Sequence, residues 1–571
     1  MTLWCLGNTT VRSPFRLRDG LAALSQSSMQ GSLRGRTQEI AFRILLGEHG
    51  VVELGDDETY SVGRKWRSAL NKLGFLYPKA PSAEDISQGE IGLIDMITPN
   101  GWRLIRADTV PAMQECFLRA LAAHYIPSPL EKDFDFPVFS PLRHTLAVML
   151  ELAQRTGESR LDFIEMAIVV QLTSSKDPVA GVVSDILALR EKRLAAPFKR
   201  RFDLQARAAA ASLHQYKAGT FNDYADTNFR YLRATGLVQS KGRGIALVPE
   251  KHVFIMKLIQ DDGIPDSARS YFVALCNGAS LPTDNRDSAL AVLDDLLQQL
   301  DRRGIPFEME GKPADTPADI AVIRHRIEGI LSEQKEEEYA SQQAAAWEEI
   351  AIYMELIIAR RGKKTLAGGE EIEVPRSEAP AYFEWALWRA FLAINNLTNK
   401  PYEARRFKID QDFLPVGTAP GNGPDLIFEF DDFVIVVEVT LTDNSRQEAA
   451  EGESVRRHVA DIMSRRYDTH TGKPVYGLFI ANHIDSNTAE TFRIGAWYTR
   501  TDEKMRLDII PVTLIQFKDI FEALFKSGQV EAGFIRKLLD LCGSLRSAHE
   551  APAWKREIAA IIKQRVQYLL N

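Results

Sequence analysis

The chain has 571 residues, of which 45% are hydrophobic and 26% are charged, and its formal net charge is −7. This length predicts three or four domains, and the composition is that of a protein that folds around hydrophobic cores in water. No segment approaches the roughly 20 apolar residues that a membrane span requires, and the N-terminal residues show no secretory signal pattern, so neither a membrane span nor a secretory signal is expected.

The cysteines lie far apart in the sequence. Cys5, Cys116, Cys276 and Cys542 form no Cys-x-x-Cys pair and have no histidine at ligand spacing. A structural zinc site is therefore not expected. Isolated cysteines of this kind favour a reducing, cytoplasmic location.

A basic helix followed by a hairpin is predicted near the N-terminus. After a basic stretch with Arg16 and Arg18, helices are expected over 37–46 and 62–73, the second ended by Gly74. A hairpin with strands at 91–98 and 102–105 around a Pro-Asn-Gly turn is expected next. This order is typical of a winged helix-turn-helix. The basic residues of the second helix fall largely outside its apolar stripe: Arg64, Lys65, Arg67 and Lys72.

The same order recurs over 223–248. A helix with Arg230 and Arg233 ends at a glycine, and two short strands follow around a turn that contains Lys241 and Arg243. The wider segment 190–257 holds fourteen Lys and Arg against five Asp and Glu, a local net of +9. An isolated basic run is more often a solvated helix face. Two patterns that are basic at both helix and turn instead favour DNA binding over purely structural modules.

The middle of the chain is predicted to be mostly helical. Helices are expected over 134–222 and 267–303, and a Gly- and Pro-rich boundary follows at 304–317. The long helical pattern over 318–359 is either a connecting helix pair or a coiled coil, and the connector is preferred because no heptad persists. A helix over 382–392 then carries Glu384 beside its apolar stripe, a position where a carboxylate is usually solvated.

A hairpin is predicted to bring two carboxylates together. Asp425 opens the apolar run 426–430, an acidic pair makes the turn, and the run 433–437 leads to Glu438. Five apolar residues before Glu438 indicate a central strand buried on both faces. A carboxylate at the end of such a strand is costly to desolvate unless a cation compensates it, which points to a metal. Helices and strands over 453–513 complete an α/β sandwich order.

These residues resemble a known group of nucleases. Pro424-Asp425, Glu438-Val439-Thr440 and Glu451 resemble the PD-(D/E)xK nuclease superfamily. Together with segments 376–389 and 60–75 they look like the AlwI-type family of type IIS restriction and nicking endonucleases, over nearly the whole chain. The resemblance implies an acidic active site at Glu384, Asp425, Glu438 and Glu451. It further implies Mg²⁺, with Mn²⁺ as a substitute, held by Glu384, Asp425, Glu438 and the Val439 carbonyl.

Thr440 departs from the superfamily pattern. It occupies the position of the usual lysine and cannot supply a positive charge. Either Glu451 reorganises the site around water and metal, or a nearby base substitutes: Lys473, Arg456 or His458. We interpret His458 as a helix-surface histidine.

The fold class predicted is multidomain α+β, with a mainly helical N-terminal recognition half. It comprises a first winged-helix subdomain (1–133), a second winged-helix subdomain (134–303), a helical linker (304–373) and a C-terminal α/β PD-(D/E)xK nuclease domain (374–571). The resemblance implies a sequence-specific, double-stranded DNA endonuclease of type IIS character. Such an enzyme uses Mg²⁺ and hydrolyses a phosphodiester at a fixed distance from a short asymmetric site, in a bacterial or archaeal restriction-modification system for phage defence.

Two alternatives remain open. Within the nuclease class, the chain is a strand-specific nickase or the large subunit of a heterodimeric enzyme, since one active site cuts one strand. In a different class, it is a DNA-binding regulator with an inactive nuclease fold. The partners expected are double-stranded DNA, a second copy or a small nuclease subunit, and a cognate DNA methyltransferase of the same system, with no membrane.

Overall fold

The computed structural model describes residues 3–52, 61–81, 86–261, 263–309, 311, 314–366, 371–468, 472–499 and 501–571, without the side chains of 465–468. Over these ranges the protein is a mostly helical α+β protein with small sheets and a mixed four-stranded sheet in its C-terminal part. The chain divides into two compact units, Met1–Gly329 and Ile330–Asn571. None of the helices in these ranges combines the length and apolar character needed to cross a membrane.

The first unit consists mainly of helices. In chain order they are α1 (Arg16–Ser25), α2 (Arg36–Glu48), α3 (Val62–Lys72), α4 (Gln88–Ile91), α5 (Pro99–Ile105), α6 (Val110–Ala122), α7 (Pro141–Thr156), α8 (Phe163–Ile168), α9 (Val179–Ala195), α10 (Lys199–Leu213), α11 (Ala218–Arg233), α12 (His252–Gln260), α13 (Ala268–Asn277), α14 (Arg286–Arg302) and α15 (Pro317–Ser341), the last of which extends past Gly329. The strands are β1 (Leu161–Asp162), β2 (Val238–Lys241) and β3 (Gly244–Leu247).

Of the helix and hairpin predicted near the N-terminus, only the helix is confirmed. Helix α3 is present, and Gly74 follows it with φ +67°, a left-handed conformation that suits a helix end. The predicted hairpin is wrong, because residues 92–98 form no strand and α5 covers the predicted turn and second strand. Thr98 accepts a hydrogen bond from the Gly101 N–H and Pro99 lies in the first turn, which starts a helix where a turn was expected. Tyr60, part of the resembling segment, lies outside the described residues.

The second helix and hairpin are confirmed. Helix α11 leads through Gly236 into β2 and β3, which pair antiparallel with Val238 opposite Leu247. Strand β1 adds to β3 and makes a three-stranded sheet. Gly242, with φ +60°, lies at the tip between Lys241 and Arg243. The basic turn expected from the sequence is thus the end of a hairpin.

The second unit contains the four-stranded sheet. Its helices after α15 are α16 (Trp347–Ile358), α17 (Ala379–Ile394), α18 (Pro401–Ala404), α19 (Gln447–Asp468), α20 (Ser486–Ile494), α21 (Leu514–Ser527), α22 (Ala532–Ser544) and α23 (Ala551–Leu570). Its strands are β4 (Lys363–Thr365), β5 (Glu371–Glu373), β6 (Leu426–Glu429), β7 (Val434–Thr440), β8 (Val475–Ala481), β9 (Ala496–Tyr498), β10 (Lys504–Arg506) and β11 (Asp508–Thr513). Helix α16, within the predicted linker, buries Ile350, Met354 and Ile357 in the core of this unit.

Helices cover both faces of the four-stranded sheet, whose order is β11-β8-β7-β6. Strand β7 runs parallel to β8 and antiparallel to β6, which confirms the predicted hairpin and central strand. Ile435 and Val437 pack in a core with α17, α21 and α22. Val434 and Val436 pack against α19 and α20 on the other face. The alternation of side chains along β7 therefore decides which helix each residue meets.

The two edges of this sheet are partly closed. At β6, the Asn399 side chain donates to the Ile427 carbonyl at 2.9 Å and accepts from the Glu429 N–H at 3.0 Å. At the other edge, β11 carries Pro511, which has no N–H to donate. Both features reduce the number of backbone groups that could pair with a further strand.

Candidate active site

The pleat of β7 turns Glu438 and Thr440 toward α19. Both residues lie an even number of positions from Val434 and Val436, which pack on that helix, so they share its side of the strand. Val439 packs in the opposite layer. Glu438 is 7% exposed and Thr440 is 8% exposed. The strand thus delivers a nearly buried carboxylate and a hydroxyl to one face of the sheet.

Helix α19 supplies two groups to the same place. It begins at Gln447, so Glu451 lies within the helix and not ahead of it, as the predicted start at 453 had implied. Glu451 and His458 are seven residues apart, which sets them on one side of the helix two turns from each other. The Thr440 hydroxyl hydrogen-bonds to Glu451, and His458 Nδ1 lies 2.6 Å from Glu438 Oε1.

Asp425 stands beside Glu438 at the start of β6. The ladder pairs Leu426 with Val437, so one further step places Asp425 next to Glu438 on the same face. Asp425 Oδ2 accepts a hydrogen bond from the Val439 N–H at 2.9 Å. The hairpin therefore brings together two carboxylates that are thirteen positions apart in the sequence.

Glu384 comes from α17, in the opposite layer. Fourteen of the 16 residues of this helix are buried, and Glu384 is 4% exposed, unlike an ordinary solvated helix carboxylate. Its Oε2 accepts a hydrogen bond from the Ala419 N–H at 2.7 Å. One turn on, the Arg389 guanidinium lies 4.6 Å from the centre of the Trp385 ring. Buried contacts of this kind fix the helix that carries Glu384.

The four carboxyl groups resist ionisation. Burial, followed by the charge of Glu438, raises the pKa of Asp425 to about 8. Burial, followed by Glu451, raises the pKa of Glu438 to about 8. Burial and Asp425 raise the pKa of Glu384 well above its ordinary value, and burial raises that of Glu451. A cation bound among these groups would favour their charged forms.

The chemistry of this donor set fits a divalent cation. Mg²⁺ prefers a small number of carboxylate and carbonyl oxygens and keeps several waters. Asp425, Glu438 and Glu384 offer such oxygens in a nearly buried place. In the described ranges, no three His, Cys, Asp or Glu side chains are already arranged around a single metal position. The agreement of this cluster with a Mg²⁺ site therefore rests on the types of ligand that it offers and on the burial that they share.

His458 is the one of the three predicted bases that lies at the site. The interpretation as a surface histidine is wrong, because its side chain is nearly buried and contacts Glu438. Burial lowers its pKa, which keeps the imidazole neutral at pH 7. Lys473 instead donates to the Phe430 carbonyl at the turn end of the hairpin. Arg456 donates to the Gly452 carbonyl within its own helix.

Arg406 is the residue that sequence reasoning missed. It lies beside Asp425 and close enough for its charge to lower the pKa of Glu438. No motif marks it, since it precedes Asp425 by 19 residues in an irregular segment. Only the bridge between Arg405 and Leu426 reveals the position.

The ten basic residues predicted to contact DNA all lie in the first unit, and they differ in availability. Arg64, Lys65, Lys241 and Arg243 are exposed, and Lys241 pairs with Glu158 at 3.6 Å. The other six are less exposed, and Arg233 among them is half-buried. Ion pairs join Arg16 to Asp19 at 3.0 Å, Arg18 to Asp108 at 3.7 Å, Arg67 to Glu39 at 2.8 Å, Lys72 to Glu131 at 2.8 Å and Arg230 to Asp226 at 2.9 Å. Lys72 also donates to the Cys5 carbonyl, which turns it away from any ligand.

Comparison with known proteins identifies one family. The family model described as AlwI restriction endonuclease matches residues 71–520. The small subunit of the heterodimeric restriction endonuclease R.BspD6I aligns with 39% of this chain and 100% of its own, at 24% identity and a TM-score of 0.29. The BpuJ1 endonuclease binding domain, solved with pyrene- and phenanthrene-modified DNA, aligns with 42% of this chain and 85% of its own, at 14% identity and a TM-score of 0.28. No curated protein shows significant similarity to the chain.

Proposed function

Because this chain belongs to the AlwI restriction endonuclease family, we propose that it is a Mg²⁺-dependent, site-specific endonuclease of type IIS character. It hydrolyses a phosphodiester of double-stranded DNA at a fixed distance from a short asymmetric sequence. The observation that carries the proposal is the cluster of nearly buried acids in the second unit, where Asp425 and Glu438 lie side by side and Glu451 and Glu384 join them.

Each member of the cluster has a role in this proposal. Asp425, Glu438, Glu384 and the Val439 carbonyl hold Mg²⁺. Bound Mg²⁺ supplies an activated water and offsets negative charge at the scissile phosphate. The His458 ring keeps the Glu438 carboxylate oriented through their 2.6 Å contact. The Thr440 hydroxyl orients Glu451 in the same way.

Recognition belongs to the N-terminal part of the chain in this proposal. Residues 1–303 read the DNA, 304–373 connect, and 374–571 cut. The second winged-helix pattern is favoured by α11 and the β2–β3 hairpin, whose tip exposes Lys241 and Arg243. Exposed Arg64 and Lys65 on α3 add phosphate contacts. A cognate methyltransferase protects the host genome at the same sequence.

The test is cleavage of supercoiled plasmid by the wild-type protein and by Asp425→Ala and Glu438→Ala. We expect both substitutions to abolish cleavage in Mg²⁺, because each removes a metal-holding oxygen from the cluster. Glu453→Ala is the matched control, since Glu453 is on α19 but its side chain is 61% exposed. EDTA should stop the wild-type reaction, and Mg²⁺ or Mn²⁺ should restore it.

Equal cleavage by all of these proteins would refute the site assignment. Salt-sensitive DNA binding without any cleavage would instead favour a regulator with an inactive nuclease fold. Run-off sequencing of cleaved genomic DNA gives the recognised sequence, the distance to the cut and the strand.

A further inference from the structure

Arg406 lies in one row with the two central carboxylates. Arg405 and Leu426 form an antiparallel bridge. When this pairing is continued by one residue, Arg406 lies opposite Asp425. The same step along the hairpin places Asp425 next to Glu438. Residues directly opposite each other in antiparallel strands share a face of the sheet and lie about 5 Å apart. The ionisable side chains of Arg406, Asp425 and Glu438 thus stand in one row on the α19 side.

The side chain of Arg405, the residue before Arg406, shows that side chains alternate between the two sides of the sheet in this segment. Arg405 points into the opposite layer, where it makes two hydrogen bonds of 2.6 Å with Glu336, which is 2% exposed. Arg405 is therefore a structural residue of that layer. Successive side chains of an extended segment point to opposite sides, so Arg406 is directed to the acid cluster.

Two neutral groups hold the Arg406 guanidinium. Its Nη2 donates to Asn422 Oδ1 at 2.5 Å, and its Nη1 donates to the Pro424 carbonyl at 3.5 Å. Gly423 leaves room for it, because a Cβ there would lie 2.1 Å from Nη1. Within the described part of the chain no carboxylate forms an ion pair with Arg406. Its positive charge is therefore available to an anion that enters the site.

A phosphodiester needs such a charge here. In the proposed nuclease, the carboxylates that hold Mg²⁺ are ionised, and their negative charge repels a DNA phosphate that approaches the site. Thr440 carries no charge that could compensate. A guanidinium offers paired N–H donors that match two phosphate oxygens, and it stays protonated throughout.

We propose that Arg406 binds the scissile phosphate and stabilises the negative charge that develops on it during hydrolysis. This inference rests on the proposed nuclease function. In the reaction, the water oxygen forms a bond to phosphorus and the bond from phosphorus to the leaving oxygen breaks. One water proton goes to solvent and the leaving oxygen takes up another. Arg406 donates hydrogen bonds to the phosphate oxygens and exchanges no proton.

The test is single-turnover cleavage of a duplex that contains the recognised sequence and the cut position. Arg406→Ala should slow cleavage by about 100- to 1000-fold, as the loss of a donor to transition-state charge does in other enzymes. Arg406→Lys should recover part of the rate, because it restores the charge without the paired donors. DNA affinity with Ca²⁺ in place of Mg²⁺ should change little, since most contacts lie elsewhere.

Arg457 provides the matched control. Its charge also lowers the pKa of Glu438, but its side chain is 37% exposed and pairs with Glu453 one turn away. Arg457→Ala should therefore stay within about 5-fold of the wild-type rate. Gly423→Ala is a second variant that keeps Arg406 and displaces its guanidinium, and it should slow cleavage as well. Thermal melting checks that each variant is folded.

The outcomes separate the two proposals. If the wild-type protein cleaves and a folded Arg406→Ala cleaves as fast as Arg457→Ala, the role of Arg406 is refuted and the nuclease function stands. If the wild-type protein does not cleave DNA at all, the nuclease function fails and the role of Arg406 fails with it. A large loss of rate confined to Arg406→Ala and Gly423→Ala supports both.

Discussion

Asp425 and Glu438 cost the metal-free protein stability as pH rises. Their pKa values in the folded protein are about 8, against ordinary values of 3.8 and 4.5. Between about pH 4 and pH 8 the folded chain therefore holds protons that the unfolded chain has released, and stability falls as pH rises through this window. In the proposed nuclease, these acids therefore serve the chemistry at the expense of the stability of the fold.

Neutral isosteres of these two acids are therefore expected to stabilise the metal-free protein. In EDTA at pH 8, Asp425→Asn and Glu438→Gln should each raise Tm by at least about 2 °C, because they remove the cost of a buried charge. The gain should shrink toward pH 5, where the wild-type carboxyls are protonated. Calorimetry across this range is the measurement, with Glu453→Gln as the exposed control. A Tm that falls in both variants at pH 8 would contradict the assigned pKa shifts.

Residues at the site differ in how well the sequence marks them. Asp425 and Glu438 flank two apolar runs, so local pattern alone brings them together. His458 sits in a polar stretch and is buried only because α19 packs on the sheet. Arg406 meets Asp425 through a strand-edge contact with no local signature. Contacts made by packing between distant segments leave no trace in the spacing of residues.

Among elements, the two helix-and-hairpin patterns show what local sequence can decide. The turn at 240–244 lies between β-forming runs and was predicted correctly. The Pro-Asn-Gly segment at 99–101 also suits a turn, but Thr98 caps a helix there. Thr-Pro predicts the start of a helix and Pro-Asn-Gly predicts a turn, over overlapping residues. The burial of Leu104 in the first unit favours the helix.

Helix α3 carries a prediction about DNA binding. Arg64 and Lys65 are exposed, and Arg67 is 13% exposed and paired with Glu39. Arg64→Ala and Lys65→Ala should each reduce the slope of log affinity against log salt by about 1, because each removes one phosphate contact. Arg67→Ala should destabilise the protein and leave the slope unchanged. Fluorescence anisotropy in Ca²⁺ over a range of salt concentrations measures both effects.

The three variants of α3 serve as controls for one another. An unchanged slope in the Arg64→Ala, Lys65→Ala double variant would remove this helix from the DNA-contacting surface. An equal change in Arg67→Ala would show that the effect comes from helix stability.

At the scale of the whole molecule, each chain has one acid cluster of this kind in the ranges that the structure describes. In the proposed nuclease, one such site hydrolyses one strand at a time, so cleavage of both strands is expected to require two sites. The second unit carries the cluster and the first carries the exposed basic residues of α3 and the β2–β3 hairpin. From the proposed nuclease function we expect a single chain to nick DNA and a second chain to be required to cut through it.

The concentration dependence of the products tests this requirement. At low protein concentration, nicked circles should accumulate from supercoiled plasmid. The rate at which linear DNA forms should depend on a higher power of protein concentration than the rate of nicking does. Agarose gels over about a 100-fold range of protein concentration give both orders. Linear product that keeps a fixed ratio to nicked product at every concentration would indicate that one chain cuts both strands.

The closed edges of the four-stranded sheet limit how a second chain can join. Asn399 occupies backbone groups of β6, and Pro511 interrupts the donors of β11. Open strand edges are common sites of aggregation and of pairing between copies. These two features disfavour the lengthening of the sheet by a strand from a second copy. In a designed heterodimer, the helical surfaces are therefore the places to alter, while the sheet is left alone.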